Sequence, residues 1–157
     1  MPTPLAAAQQ WWAFSHSSVD PKASPKFFQF LSLWIGFNAL YSAGGNESAA
    51  VRRFADTDLR KHHLQLMQGN EAYMQAVKYL KDRPVRNMRT GKLVDLTNVN
   101  EVGQVADCLY AIRCNLFHGD KEPNDFRDQT VVDCASTILS DLLNAYFADE
   151  HNRALTP

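Results

Sequence analysis

Hydrophobic positions along the chain recur at spacings of three and four almost throughout, which is the helical period. The opening segment 5–15 (LAAAQQWWAFS) predicts a short helix, and His16 to Lys22 a loop. Ser24-Pro25 then supplies an N-cap and a proline at the first helical position. The helix that follows places Phe27, Leu31, Trp34, Asn38 and Tyr41 on one stripe and stops at Gly44-Gly45. A further helix is expected from about Ser48 to Met67, interrupted near Asp56-Thr57-Asp58. After Gly69-Asn70, Glu71 to Lys81 repeats the pattern with Tyr73, Ala76, Val77 and Leu80, and Pro84 ends it.

Residues 84–97 (PVRNMRTGKLVDLT) lose the helical period, and Thr90-Gly91 fits the tip of a small β-hairpin. Thr97-Asn98, with Glu101 three residues after Asn98, resembles a capping box for the next helix. That helix carries Val102, Val105, Ala106, Leu109, Ile112 and Leu116 on one stripe and meets a glycine stop at Gly119. A turn over Asp120 to Asn124 leads to a last helix from about Asp125 to Asp149, faced by Val131, Ala135, Ile138, Leu142 and Tyr146. The expectation is one all-α domain over residues 1–157, a bundle of four or five main helices with a small hairpin near 85–96.

Composition narrows the class. At 157 residues, 45% hydrophobic and 21% charged, the chain has material for one core without a staple. Cys108, Cys114 and Cys134 form no CxxC pair and are odd in number, which points to a reducing compartment and a cytoplasmic location. Met1 to Gln10 lacks a basic region before an apolar run and is not read as a signal peptide. The most apolar stretch, Phe27 to Tyr41, is broken by Gln29, Ser32 and Asn38, so no membrane partner is expected.

The net charge of −1 hides an uneven distribution. Lys78, Lys81, Arg83, Arg86, Arg89 and Lys92 stand against Asp82 alone, whereas eight acids between Asp120 and Glu150 face only Lys121 and Arg127. Such clustering can give one face a potential that attracts phosphate, although a solvated loop has the same composition.

Several chemistries lack their motifs. Gly44-Gly45 is not followed by Lys-Ser or Lys-Thr, so there is no phosphate-binding loop of that type, and no nucleophile elbow is present. His62-His63 are adjacent and point about 100° apart on a helix, which does not suit one metal. No metal and no cofactor is therefore expected.

What remains is Arg113-Cys114-Asn115-Leu116-Phe117-His118-Gly119 at a helix end. RNA is cleaved without metal when a base takes the proton of a 2′-hydroxyl and that oxygen attacks the adjacent phosphorus. Histidine titrates in the required range. An arginine fork matches the phosphate oxygens on which charge develops. Five residues turn through about 500° on a helix, so Arg113 and His118 project about 140° apart. Two such helices facing across a dimer axis would bring Arg113 of one subunit toward His118 of the other. Asn115 is a candidate orienting or substrate-binding group, and Lys121 a candidate phosphate contact. Asn38, an amide in an aromatic stripe, either hydrogen-bonds the same region, as a candidate substrate-binding group, or satisfies a backbone carbonyl at a kink.

The stretch Tyr110 to Lys121 (YAIRCNLFHGDK) resembles the R-x(4–6)-H signature of HEPN domains. The helix Phe30 to Tyr41 (FLSLWIGFNALY) is similar to the first core helix of a bacterial branch of that family, and the resemblance extends over about residues 25–147. It implies an α-helical bundle that dimerises and a metal-independent endoribonuclease of toxin–antitoxin, phage-defence or RNA-processing type. Arg113 and His118 match the signature positions, and an antitoxin or regulatory protein becomes a possible partner. The chain departs from the pattern at Cys114, where the family commonly has Asn, Asp or His, and thiols are weak hydrogen-bonding groups. Because the family also includes non-catalytic members, a second function follows: a helical module that binds a nucleotide, RNA or protein.

Overall fold

The computed structural model describes residues 3–16, 25–41, 45–117 and 126–156. It is mostly helical: α1 (Pro4–Ser15), α2 (Pro25–Asn38), α3 (Glu47–Phe54), α4 (Arg60–Gly69), α5 (Glu71–Asp82), α6 (Val102–Phe117) and α7 (Phe126–Leu155). A π-helical turn, Ala55–Leu59, joins α3 to α4 as one rod. A two-stranded antiparallel sheet, β1 (Val85–Arg86) and β2 (Leu93–Val94), pairs Val85 with Val94 and Arg86 with Leu93. The all-α expectation holds, with more helical segments than the four or five foreseen. No helix among the described residues is long and apolar enough to cross a membrane.

The interruption expected at Asp56-Thr57-Asp58 is this π turn. Asp and Thr have polar groups that compete for backbone partners, and the Thr57 hydroxyl donates to Arg53 O at 2.8 Å. The turn lies against α6 at Gly103, where a Cβ would come within 2.7 Å of Asp56 Oδ1. A larger residue there would require the Asp56 carboxylate to shift.

α2 packs against both α1 and α7, and its buried face differs from the stripe read from spacing. Phe30, Leu33, Trp34, Phe37 and Tyr41 are buried, while Asn38 is exposed at the helix end. An amphipathic stripe assumes one neighbour; with two, the apolar face widens. Trp34 and Phe37 meet edge to face at 5.3 Å. Trp12 of α1 packs edge-on to Phe147 of α7 at 6.2 Å; the Trp11 side chain lies outside the described residues.

α6 packs against α3, the π turn, the hairpin and α7. Besides Val102, Val105, Ala106, Leu109 and Ile112, its Cys108, Ala111, Cys114 and Asn115 are buried, so two faces are covered. It begins at Val102, four residues after Asn98, which corrects the expected capping box. Glu101 O accepts from Val105 N at 3.2 Å, making Glu101 the N-cap. The side chain that reaches back is Gln104, whose Oε1 accepts from Asn98 N at 3.0 Å. The expected Ser24 cap, Gly44 and Gly119 stops and turn over 120–124 lie outside the described residues. The last helix continues to Leu155, beyond the expected end at Asp149.

His62 and His63 are both buried. His63 Nε2–H donates to Val99 O at 2.7 Å, which leaves Nδ1 to accept from the Tyr73 hydroxyl at 2.6 Å. One neutral imidazole thereby ties α4 to α5 and to the turn leading into α6. Burial holds its pKa below the ordinary histidine value, against the opposing Val99 carbonyl.

Candidate functional site

Arg113 sits in the last turn and a half of α6, about a quarter exposed. Its guanidinium is clasped on several sides. Nη1 lies 3.4 Å from Glu47 Oε2, and Cζ lies 4.8 Å from the Phe117 ring centre and 5.8 Å from that of Tyr110. The Phe117 and Tyr110 contacts follow from positions i+4 and i−3 on the same helix face. Nε is buried and has no hydrogen-bond acceptor among the described residues. Glu47 opens α3 behind Asn46, whose Oδ1 caps the helix by accepting from Ala49 N at 3.3 Å. The other carboxylate oxygen, Oε1, accepts from the Tyr41 hydroxyl at 2.8 Å. Burial first, then the bond to Glu47, pushes that hydroxyl far above the ordinary tyrosine range. Tyr41, Glu47 and Arg113 thus form one chain of contacts linking the end of α2, the start of α3 and the end of α6.

Cys114 is buried, and its Sγ is 3.9 Å from Arg113 Nη1, a weak contact. Asn115 is 2% exposed and faces the hairpin. Its Oδ1 accepts from Met88 N at 2.9 Å and its Nδ2 donates to Arg86 O at 2.9 Å. The amide read from sequence as a substrate-binding group is therefore engaged at both ends with hairpin backbone. Its geometry is that of a clasp between α6 and residues 86–88.

Beside α6, on the Cys114 side, a groove of about 850 Å³ opens between α3, the hairpin and α6. Tyr110 and Cys114 line it from α6, Arg52 from α3, and Arg89 and Lys92 from the hairpin tip. Arg52 is paired with Asp107 and lies 3.9 Å from Asp56. Asp107 titrates above the ordinary carboxylate value because burial outweighs the nearby arginine. Tyr110 borders both the groove and Arg113, and its hydroxyl is also raised, by burial and then by Cys114.

The sequence candidates are only partly brought together. Arg113 and Asn115 share the end of α6 but face different partners. His118 and Lys121 lie outside the described residues. Asn38 was expected within a buried stripe; it is exposed, so water can satisfy its amide. The basic run is divided between two faces: Arg89 and Lys92 line the groove, while Lys78 and Arg83 line a separate surface between α5 and α7. Arg86 folds onto its own hairpin, donating to Gly91 O at 2.8 Å.

Sequence reasoning missed Glu47 and Tyr41 as partners of the motif arginine. Glu47 carried a local signal only, as an acid in the first turn of a helix. Among the described residues no group of three His, Cys, Asp or Glu side chains converges to hold a metal ion. Comparison with known proteins finds no matching family model, no similar curated protein and no similar solved structure.

Proposed function

We propose that the chain is a metal-independent endoribonuclease of the HEPN type, acting as a homodimer with a composite site at the subunit interface. The observation that carries this reading is the setting of Arg113. The guanidinium at the end of the motif helix has a buried Nε with no acceptor among the described residues, and its helix neighbours Tyr110 and Cys114 line a groove whose rim bears Arg89 and Lys92. In the reaction, His118 acts as general base or acid on the 2′-hydroxyl and the leaving 5′-oxygen. Arg113 stabilises charge on the phosphorane. The attacking 2′-oxygen bonds to phosphorus, the bond to the 5′-oxygen breaks, and the products are a 2′,3′-cyclic phosphate and a 5′-hydroxyl. Asn115 positions the hairpin beside the site, and Lys121 and Asn38 are candidate contacts to substrate. A role in toxin–antitoxin or phage-defence systems, with an antitoxin or regulatory partner, accords with such an activity.

A second reading is favoured by the ion pair itself. Arg113 neutralised by Glu47, beside a buried Cys114 where a polar side chain would orient the pair, suits a non-catalytic module that binds a nucleotide, RNA or protein. Incubation of the protein with mixed RNAs in EDTA separates the two. Cleavage that leaves cyclic phosphate ends and disappears in His118→Ala supports the nuclease. Intact RNA, or equal cleavage by both proteins, favours the binding module.

A further inference from the structure

The groove beside α6 has cations that the Arg113 motif does not use. Arg89 and Lys92 flank the hairpin tip, both exposed, and neither has an ion-pair partner among the described residues. Arg52, on the α3 side of the groove, is by contrast neutralised by Asp107 and Asp56. The positive charge available to a ligand is therefore concentrated on the hairpin rim.

That rim is held in place. Two residue pairs make a hairpin too short to stand alone. Its order comes from Asn87, whose Oδ1 accepts from Arg89 N at 3.1 Å and Thr90 N at 3.3 Å, and from Gly91 N donating to Asn87 O at 2.8 Å. Gly91 has φ of 70°, which lets the tip close. Asn115 then fastens residues 86 and 88 to α6, two positions along from Arg113. The backbone that carries the rim cations is thereby held to the motif helix.

Tyr110 connects groove and motif, since it lines the one and lies under the Arg113 guanidinium at 5.8 Å. Asp95, next to β2, and Asp107 of α6 also line the groove, Asp107 being paired with Arg52. A duplex would set phosphates on both sides of the groove, whereas the unpaired cations among the described residues that line it lie on the hairpin rim alone. A single strand can lay its phosphates along that rim and turn its bases toward Tyr110 on α6.

We propose that this groove holds a single-stranded stretch of RNA adjoining the cleavage point, with phosphates on Arg89 and Lys92 and one base against Tyr110. The proposal rests on the ribonuclease reading for its substrate, and its test does not depend on cleavage. Fluorescence anisotropy with a short, unstructured, labelled RNA, in full-length protein carrying His118→Ala, reads affinity as a function of salt. Replacing both cations (Arg89→Ala with Lys92→Ala) should weaken binding and reduce the slope of log affinity against log salt by about 1.4, roughly 0.7 for each lost phosphate contact. Tyr110→Leu should weaken binding about ten-fold or more at unchanged slope, with Tyr110→Phe restoring it. Lys78→Ala with Lys81→Ala, outside the groove, should change neither.

An unchanged slope in the double rim variant overturns the proposal. So does equal weakening by the Lys78 and Lys81 changes, tighter binding of duplex than of single strand, or no RNA binding at all. Rim-dependent binding without cleavage by wild type would keep the groove and remove the nuclease. Cleavage with rim-independent binding would do the reverse.

Discussion

Arg113 Nη1 stands 3.4 Å from Glu47 Oε2, so the cation of the motif already has a carboxylate partner. Glu47 is fixed by its place in the first turn of α3 and by the Tyr41 hydroxyl. Under the proposed function, a substrate phosphate has to compete with this carboxylate for the guanidinium. Both side chains are about a quarter exposed, so the pair is partly screened and contributes little to stability.

Glu47→Gln is therefore expected to keep the fold, lowering unfolding free energy by under about 1 kcal/mol. The same change should tighten RNA binding several-fold, since an acceptor remains for Tyr41 but the competing charge is gone. Thermal denaturation and anisotropy check the two halves. Weaker RNA binding in a folded Glu47→Gln protein would mean that Glu47 orients Arg113 rather than competing for it.

Asn115→Ala removes both bonds to the hairpin and leaves Met88 N–H and Arg86 C=O without their partner. The expected loss is about 2–3 kcal/mol. Urea unfolding measures it, and hydrogen exchange should show the Met88 amide losing protection. A loss below about 0.5 kcal/mol, the level of an ordinary surface change, would contradict the clasp.

Stability should fall on mild acidification. His63 has a folded pKa below its ordinary 6.5, chiefly from burial, so in the window between the two values the unfolded chain binds the extra proton. Stability is then fully present above about 6.5 and decreases as pH drops, by up to about 1.4 kcal/mol per pH unit for one such group. His62 is also lowered, by burial and then Lys61, with Asp149 opposing, and adds in the same direction. Urea midpoints between pH about 7.5 and 5 test this, together with the His63 titration by NMR. A His63 that titrates at or above 6.5 would reverse the sign.

Gln104 provides the reach-back bond at the start of α6, accepting from Asn98 N at 3.0 Å. Gln104→Ala should cost about 1 kcal/mol and release the backbone just before Val102. Exchange protection at Asn98 reports it directly.

These residues show where the chain was legible and where it was not. Helix positions follow from local period and breakers: Glu71 to Lys81 ends at Pro84, and Asp56-Thr57-Asp58 marks the π turn. The approach of its Asp56 carboxylate to Gly103, nearly fifty residues later, is not revealed by local pattern. Asn115 was read as a site residue because it lies inside the motif. Its partners are backbone groups of residues 86 and 88, and a polar residue type does not announce what it will meet. Likewise Lys78 to Lys92 is one cluster in sequence and two surfaces in space, because α5 and the hairpin point their cations to different sides. Glu47 was passed over since nothing in its neighbourhood points to a residue in position 113.

The central claim, a composite site built from Arg113 of one subunit and His118 of the other, is tested most directly by mixing two inactive variants. Arg113→Ala and His118→Ala proteins are unfolded together, refolded and assayed on RNA in EDTA beside each variant alone. In a two-fold dimer, half of the randomly reassorted pairs are mixed, and each mixed pair has one intact site of two. The account predicts recovery of about a quarter of wild-type cleavage. A mixture as inactive as its separate components, alongside an active wild type refolded in the same way, would contradict it.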